Sequence, residues 1–296
     1  MPLDGRYAPS PTGPLHLGNL RTALLAWLFA RSQKAQFLLR IEDLDPGRSR
    51  ERWVEGQLAD LRALGIDWDG EPVRQSQRAA LYSEAVDRLA ADGLVYECFC
   101  TRAEIREAAS APHGDGGGLY PGTCRELTER ERAERRASGR PPALRVRAEG
   151  ARVGFVDRVL GASEGVVDDL VVRRNDGAFA YNLAVVVDDA DQGVAEVVRG
   201  ADLLDATPGQ LWLASRLGLE APSSYAHVPL MLGEDGARLA KRHGAVTLGE
   251  REALGETPDQ VRAALATSAG LADEGERLSP AELVDRFGGS PWAQSG

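Results

Sequence analysis

The chain has 296 residues, 43% of them hydrophobic and 27% charged, with a formal net charge of −10. This composition excludes a disordered or fibrous protein, allows a sizeable core, and argues against a body coated in nucleic acid, though not against a local basic face. No apolar run is long enough to cross a bilayer; the longest, such as 181–187, are strand-sized, and without a secretory layout at the N-terminus a cytoplasmic location is the expectation.

In chain order, residues 3–8 read as a short strand. Pro9-Ser10-Pro11-Thr12-Gly13-Pro14 then imposes an irregular, fixed loop. Asn19 opens a helix with Leu20, Leu24, Leu25 and Leu28 on one face, ending near Ser32. Residues 37–41 form a buried strand, the acidic turn Glu42-Asp43-Leu44-Asp45-Pro46 follows, and helices fit 50–64 and 77–92. Such alternation predicts a parallel α/β sheet.

From about residue 94 to 190 the rhythm stops. This segment holds all three cysteines, a glycine-rich stretch at 114–118, and β-like runs at 143–146, 153–159 and 166–173. It reads as an insertion into the sheet domain. Its Arg-rich stretches at 125–140 and 145–152 are interleaved with Glu and read equally well as a solvated helical surface. Alternation resumes with a strand at 194–198, a helix at 208–217 and a strand at 227–232, and helices at 259–266 and 280–287 complete the pattern.

His16-Leu17-Gly18-Asn19 lies after a strand and its proline-rich loop, at a helix N-terminus. Free backbone N–H groups and the positive end of the helix dipole favour phosphate there. Gly18 lets a nucleotide approach the backbone, and His16 can donate to phosphate oxygens as charge shifts in a transition state. Alone, these four residues are a weak signal. The whole string from Arg6 to Asn19 resembles the first signature of the glutamyl branch of class I aminoacyl-tRNA synthetases, of the form R-x-A-P-S-P-T-G-x-L-H-x-G. The resemblance implies that His16 and Gly18 contact ATP, with Asn19 in place of the commoner histidine. Arg238-Leu239-Ala240-Lys241-Arg242 resembles a degenerate K-M-S-K-S loop, with Arg238 for the first lysine, Ala240 for the serine and Lys241 on the second lysine. Lys241 would stabilise charge on the transferring phosphates, with Mg²⁺ expected on the ATP.

A small dicarboxylic amino acid needs a cation for each carboxylate and an acid for its ammonium. Arg6, Glu42 and Arg199 are candidates on three strand ends, where ligands sit in open α/β sheets. Arg40-Ile41-Glu42-Asp43, the string Phe179-Ala180-Tyr181-Asn182-Leu183 through Asp188-Asp189, and Val198-Arg199-Gly200-Ala201-Asp202-Leu203 match further segments of the same family in the same order. Carried over residue by residue, Arg6, Tyr7, Ala8, Pro9 and Ser10 would hold glutamate, Glu42 its amine, and Tyr181 and Arg199 would complete the pocket. Glutamine is the nearest competing substrate, and the cationic pocket favours glutamate.

Cys98-Phe99-Cys100 puts two thiols on one face of an extended segment, and Cys124 supplies a third. Three thiolates and one more ligand make a closed structural zinc site. By family resemblance the fourth ligand is Tyr120; by ordinary metal chemistry it could be His113. The implied fold is a class I Rossmann-like parallel α/β sheet, with halves at 1–93 and 191–250, a zinc-bearing α+β insertion at 94–190 and a short helical region at 251–296. The sequence closes soon after Lys241, so it resembles the truncated branch of the family, which activates glutamate without tRNA and transfers it to the queuosine base of tRNA(Asp). The expected partners are ATP, glutamate and that tRNA, with no membrane and no obligate protein partner. A conventional core charging a tRNA 3′ end and a non-catalytic RNA-binding paralogue are the alternatives.

Overall fold

A computed structural model describes residues 2–101, 103–105, 120–233, 235–236, 239 and 244–294. Its main sheet is built from β1 (Gly5–Tyr7), β2 (Phe37–Ile41), β3 (Val73–Arg74), β6 (Arg152–Asp157), β7 (Gly161–Val166), β9 (Glu196–Gly200) and β10 (Ser224–Val228). The order is β3-β2-β1-β9-β10-β6-β7. All neighbours run parallel except β7, which returns antiparallel on β6. A second sheet, β4 (Val95–Cys98), β5 (Ala143–Val146) and β8 (Val171–Arg173), is antiparallel.

The first helix, α1 (Leu17–Ser32), is buried almost all round from Leu20 to Ala30. A helix with apolar residues on every side needs cover on every side. Here α1 packs on β1 and β9 and against two C-terminal helices, α7 (Pro258–Ser268) and α8 (Pro280–Gly288). Helices α2 (Glu51–Ala63) and α3 (Ala79–Ala91) keep the amphipathic pattern that the sequence shows. The Arg-rich helix α4 (Glu129–Ala137) buries no residue; a Thr128–Glu131 capping box starts it and an Arg130–Glu134 pair spans one turn, the solvated surface that its charge pattern allows.

Two expectations change, and an apolar run of strand-like length is helical. Residues 181–187 form the first turns of α5 (Tyr181–Asp191), which packs against α3 and α6 (Thr207–Leu217). The strand expected at 227–232 lies at Ser224–Val228, and Pro229, which has no N–H to give to a ladder, follows directly. The run at 166–173 is divided between β7 and β8. Sheet boundaries also differ from the expected insertion: β6 and β7, inside 94–190, belong to the main sheet through the pairing of Tyr225 with Asp157, and only β4, β5 and β8 stand apart.

Candidate active site

From β1 the sheet grows in both directions, to β2 on one side and β9 on the other. A parallel sheet opens a crevice at the carboxyl ends of its strands where the order reverses in this way. A cavity of about 590 Å³ occupies that place. Its walls contain Arg6, Tyr7, Ala8, Pro9, Ser10, His16, Gly18 and Asn19 from the first segment, with Glu42, Tyr181 and Arg199. Every described residue singled out for substrate or nucleotide is therefore brought into one cavity. Arg238 and Lys241 lie outside the described residues, but Leu239 between them lines the cavity and its N–H donates to Met231 O at 2.9 Å.

Two arginines face the cavity under different electrostatic conditions. Arg6 is tied by its Nε to Asp189 at 3.1 Å, and Arg40, fully buried behind it, donates to the same carboxylate at 2.8 Å. Burial opposes ionisation of Asp189, yet Arg6 and Arg40 hold its carboxyl below the usual range. Asp188, next on the same helix, accepts from Gln75 at 2.8 Å, Arg78 at 2.7 Å and Tyr82 at 2.9 Å. Arg199 is different. It is 5% exposed, its hydrogen-bond partners among the described residues are the neutral groups of His227, Thr207 and Leu203, and its Nη1 has none. Burial pulls its affinity for the proton down. A buried cation with an unused donor beside a cavity is a site for an anion.

Glu42 follows β2 and its backbone N–H donates to Pro9 O at 3.0 Å, which fixes it beside the proline-rich loop. Burial pushes its carboxyl up to about 7, against the opposing pull of Arg40 and Arg6. It is the acid available for an ammonium group. The loop itself is pinned from below by Gln57 of α2, which donates to Ser10 O at 3.1 Å and Gly13 O at 2.8 Å.

His16 caps α1: its Nδ1 accepts from Asn19 N–H at 3.3 Å, which places the imidazole proton on Nε2, a donor suited to a phosphate oxygen. A Cβ on Gly18 would stand 3.1 Å from that same Nδ1, so a side chain there would displace the histidine. Leu17 N–H donates to Val246 O at 2.7 Å and His16 bridges Thr247. Val246 and Thr247 thus lie against the cap of α1.

In the smaller sheet, Cys98, Cys100 and Cys124 bring their sulfurs within 4.8 Å of one another. Tyr120 Oη lies 3.4 Å from Cys98 Sγ and 3.7 Å from Cys100 Sγ, and accepts from Cys124 N–H at 2.8 Å. Sulfurs about 2.3 Å from one zinc ion in a tetrahedron are roughly 3.8 Å apart, so this donor set fits with little movement. His113 lies outside the described residues. Burial pushes the Cys100 thiol up to about 12, so metal capture there must displace a proton. Arg145 stacks over the Tyr120 ring at 4.0 Å and holds it in place.

Sequence reasoning missed the residues that support the cavity wall. Asp188 and Asp189 stood in a quoted motif without a role; Gln57, Thr207, His227 and Asp157 carried no signal, since their partners are far away in the chain.

Residues 2–277 match the family described as tRNA synthetases class I (E and Q), catalytic domain. A glutamyl-Q tRNA(Asp) synthetase of Nocardia farcinica is 60% identical over 283 residues, 96% of this chain and 88% of that protein. The chain belongs to the glutamyl-Q tRNA(Asp) synthetase branch of the class I (E and Q) tRNA synthetases. Another member of that branch, from Symbiobacterium thermophilum, is 50% identical over 96% of this chain and 92% of its own length. A glutamate tRNA ligase of Elizabethkingia meningosepticum, solved in complex with its amino acid, superimposes with a TM-score of 0.80 at 29% identity. That alignment covers 96% of this chain and 64% of the ligase, so the synthetase fold here spans somewhat under two thirds of the ligase's length. No helix among the described residues is long and apolar enough to cross a membrane.

Proposed function

We propose that this synthetase uses ATP to convert glutamate to glutamyl-adenylate and transfers the glutamyl group to the queuosine base of tRNA(Asp). The observation that carries the first half is Arg199, a buried cation with neutral partners and an unused Nη1, facing a cavity whose other arginine, Arg6, is already countered by Asp189. A dicarboxylic amino acid offers a carboxylate to each arginine, whereas one with an uncharged side chain offers only its α-carboxylate.

In this reading Glu42 receives the ammonium, Arg6 and Arg199 hold carboxylates, and Tyr181 closes the pocket. The α-carboxylate oxygen attacks the α-phosphorus of ATP in line; the bond to the β-phosphate oxygen breaks and pyrophosphate leaves. Little covalent chemistry is asked of the protein, so positioning and charge stabilisation carry the rate. His16 and Lys241 serve the phosphates, with Asn19 and Arg238 beside them, and Mg²⁺ accompanies the ATP. A hydroxyl of the acceptor then attacks the acyl carbon and AMP departs with the bonding pair. Cys98, Cys100, Tyr120 and Cys124 would hold a structural zinc ion that braces the smaller sheet. The acceptor follows from the names of the relatives. Labelled glutamate should accumulate on queuosine-containing tRNA(Asp) and not on the same tRNA without the modified base. Incorporation into unmodified tRNA(Glu) alone would instead support conventional charging.

A further inference from the structure

Arg199 reaches the cavity on a chain of buried hydrogen bonds that crosses three strands. Its Nε donates to His227 Nε2 at 3.0 Å, and its Nη2 to Thr207 Oγ1 at 2.8 Å and Leu203 O at 3.3 Å. The parallel register sets Arg199 of β9 opposite His227 of β10, and Tyr225 of β10 opposite Asp157 of β6. His227 Nδ1 lies 2.6 Å from Asp157 Oδ2, and Asp157 also accepts from the backbone N–H groups of His227, Val159 and Leu160. A guanidinium only donates. His227 Nε2 must therefore be the acceptor, with the proton on Nδ1 directed at Asp157. Thr207 Oγ1, 3.2 Å from the same Nε2, can donate there while it accepts from Arg199. Both members of the pair are buried, and the Tyr225 ring lies parallel to the imidazole at 6.5 Å.

We infer that His227, locked in one tautomer by Asp157, is the positioning residue that aims Arg199 into the cavity without neutralising it. The contrast with Arg6 carries the point. Asp189 fixes Arg6 with a carboxylate and so offsets its charge, whereas an imidazole nitrogen fixes Arg199 through direction alone. With no carboxylate bonded to it directly, Arg199 keeps more of its attraction for a carboxylate of the substrate than Arg6 does, and an acidic residue in place of His227 would cancel that attraction. The inference rests on the reading of the cavity as a glutamate site.

Two isosteric substitutions separate positioning from packing. In His227→Gln the amide oxygen can occupy the place of Nε2 and accept from Arg199, while the link to Asp157 is lost. In His227→Asn the shorter amide can serve Asp157 from the place of Nδ1 but cannot reach Arg199. Glutamate-dependent ATP–pyrophosphate exchange should show KM for glutamate raised about ten- to a hundredfold in His227→Asn, the scale of a lost hydrogen bond to a charged group. KM for ATP and kcat should stay within about threefold, and His227→Gln should bring KM for glutamate back to within about threefold of the wild type. Thr207→Val, which removes the other side-chain acceptor from Arg199 and leaves the Asp157–His227 link, should give the same KM-selective loss if the asparagine variant fails to fold. Equal effects of Gln and Asn, or an unchanged KM for glutamate in folded Asn and Val variants, would overturn the inference. A wild-type protein without glutamate-dependent exchange would overturn the functional reading instead, so the two failures are distinguishable.

Discussion

With Glu42 as the proposed receiver of the substrate ammonium, its protonation should set how tightly the pocket takes glutamate. The side chain is 9% exposed, and burial lifts its carboxyl from the ordinary 4.5 to about 7. That rise corresponds to roughly 3 kcal/mol between the two protonation states. Because the folded-state value is the higher one, Glu42 contributes stability that is fully present below its unfolded value and is lost as pH rises through about 7. At pH 8 the ligand-free protein holds an ionised buried carboxylate, and an ammonium group placed against it relieves that cost. Below about 7 the ammonium must first displace a proton. Glutamate affinity should therefore be flat above this point and fall about tenfold per pH unit below it, a loss of roughly thirtyfold between pH 8 and 5.5. Calorimetric or thermal-shift titration with glutamate reads this directly, with the largest ligand-induced stabilisation at the higher pH. Glu42→Gln should weaken binding at pH 8 by about tenfold or more and abolish the inflection. Affinity that stays level across the range, or an inflection that persists in the glutamine variant, would refute the assignment.

Three further outcomes follow from the same geometry. His16→Ala should lower adenylate formation by about 10²–10³-fold while costing the fold only about 1 kcal/mol for the lost cap, and Lys241→Ala should likewise lose rate without unfolding; wild-type turnover in both would contradict the roles given to them. Asp189→Asn leaves Arg6 and Arg40 buried with their shared counter-charge gone and should destabilise the protein by about 3–5 kcal/mol, measured by urea unfolding. Cys124→Ser should lose bound zinc, read by elemental analysis, and should lower the melting temperature; unchanged metal content and melting would count against the site.

Much of the cavity could be read from the chain because its walls come from short strings whose residues act near their own position. Arg6 to Asn19 runs from β1 through the proline loop into the cap of α1, and Glu42 sits one residue beyond β2. What stayed hidden depends on distant partners. The run from Tyr181 to Asp191 is rich in β-branched residues and looks like a strand until α3 and α6 close over it. Helical winding then sends Asp188 and Asp189 inward to arginines 110 to 183 residues away in sequence, Arg78 for Asp188 and Arg40 and Arg6 for Asp189. Likewise β6 looks like part of an insertion because its parallel partner β10 arrives only after β9 and α6. Asp157 and His227 meet through that pairing alone, so no local pattern announces them.

Activation of glutamate in the cavity at the β1–β9 switch is best tested by ATP–pyrophosphate exchange in the complete absence of tRNA. Robust exchange is expected with glutamate and little with glutamine, because only glutamate brings a side-chain carboxylate as well as its α-carboxylate to the two arginines. Exchange that appears only when tRNA is added would contradict tRNA-independent activation, and no exchange under either condition would contradict the enzyme itself.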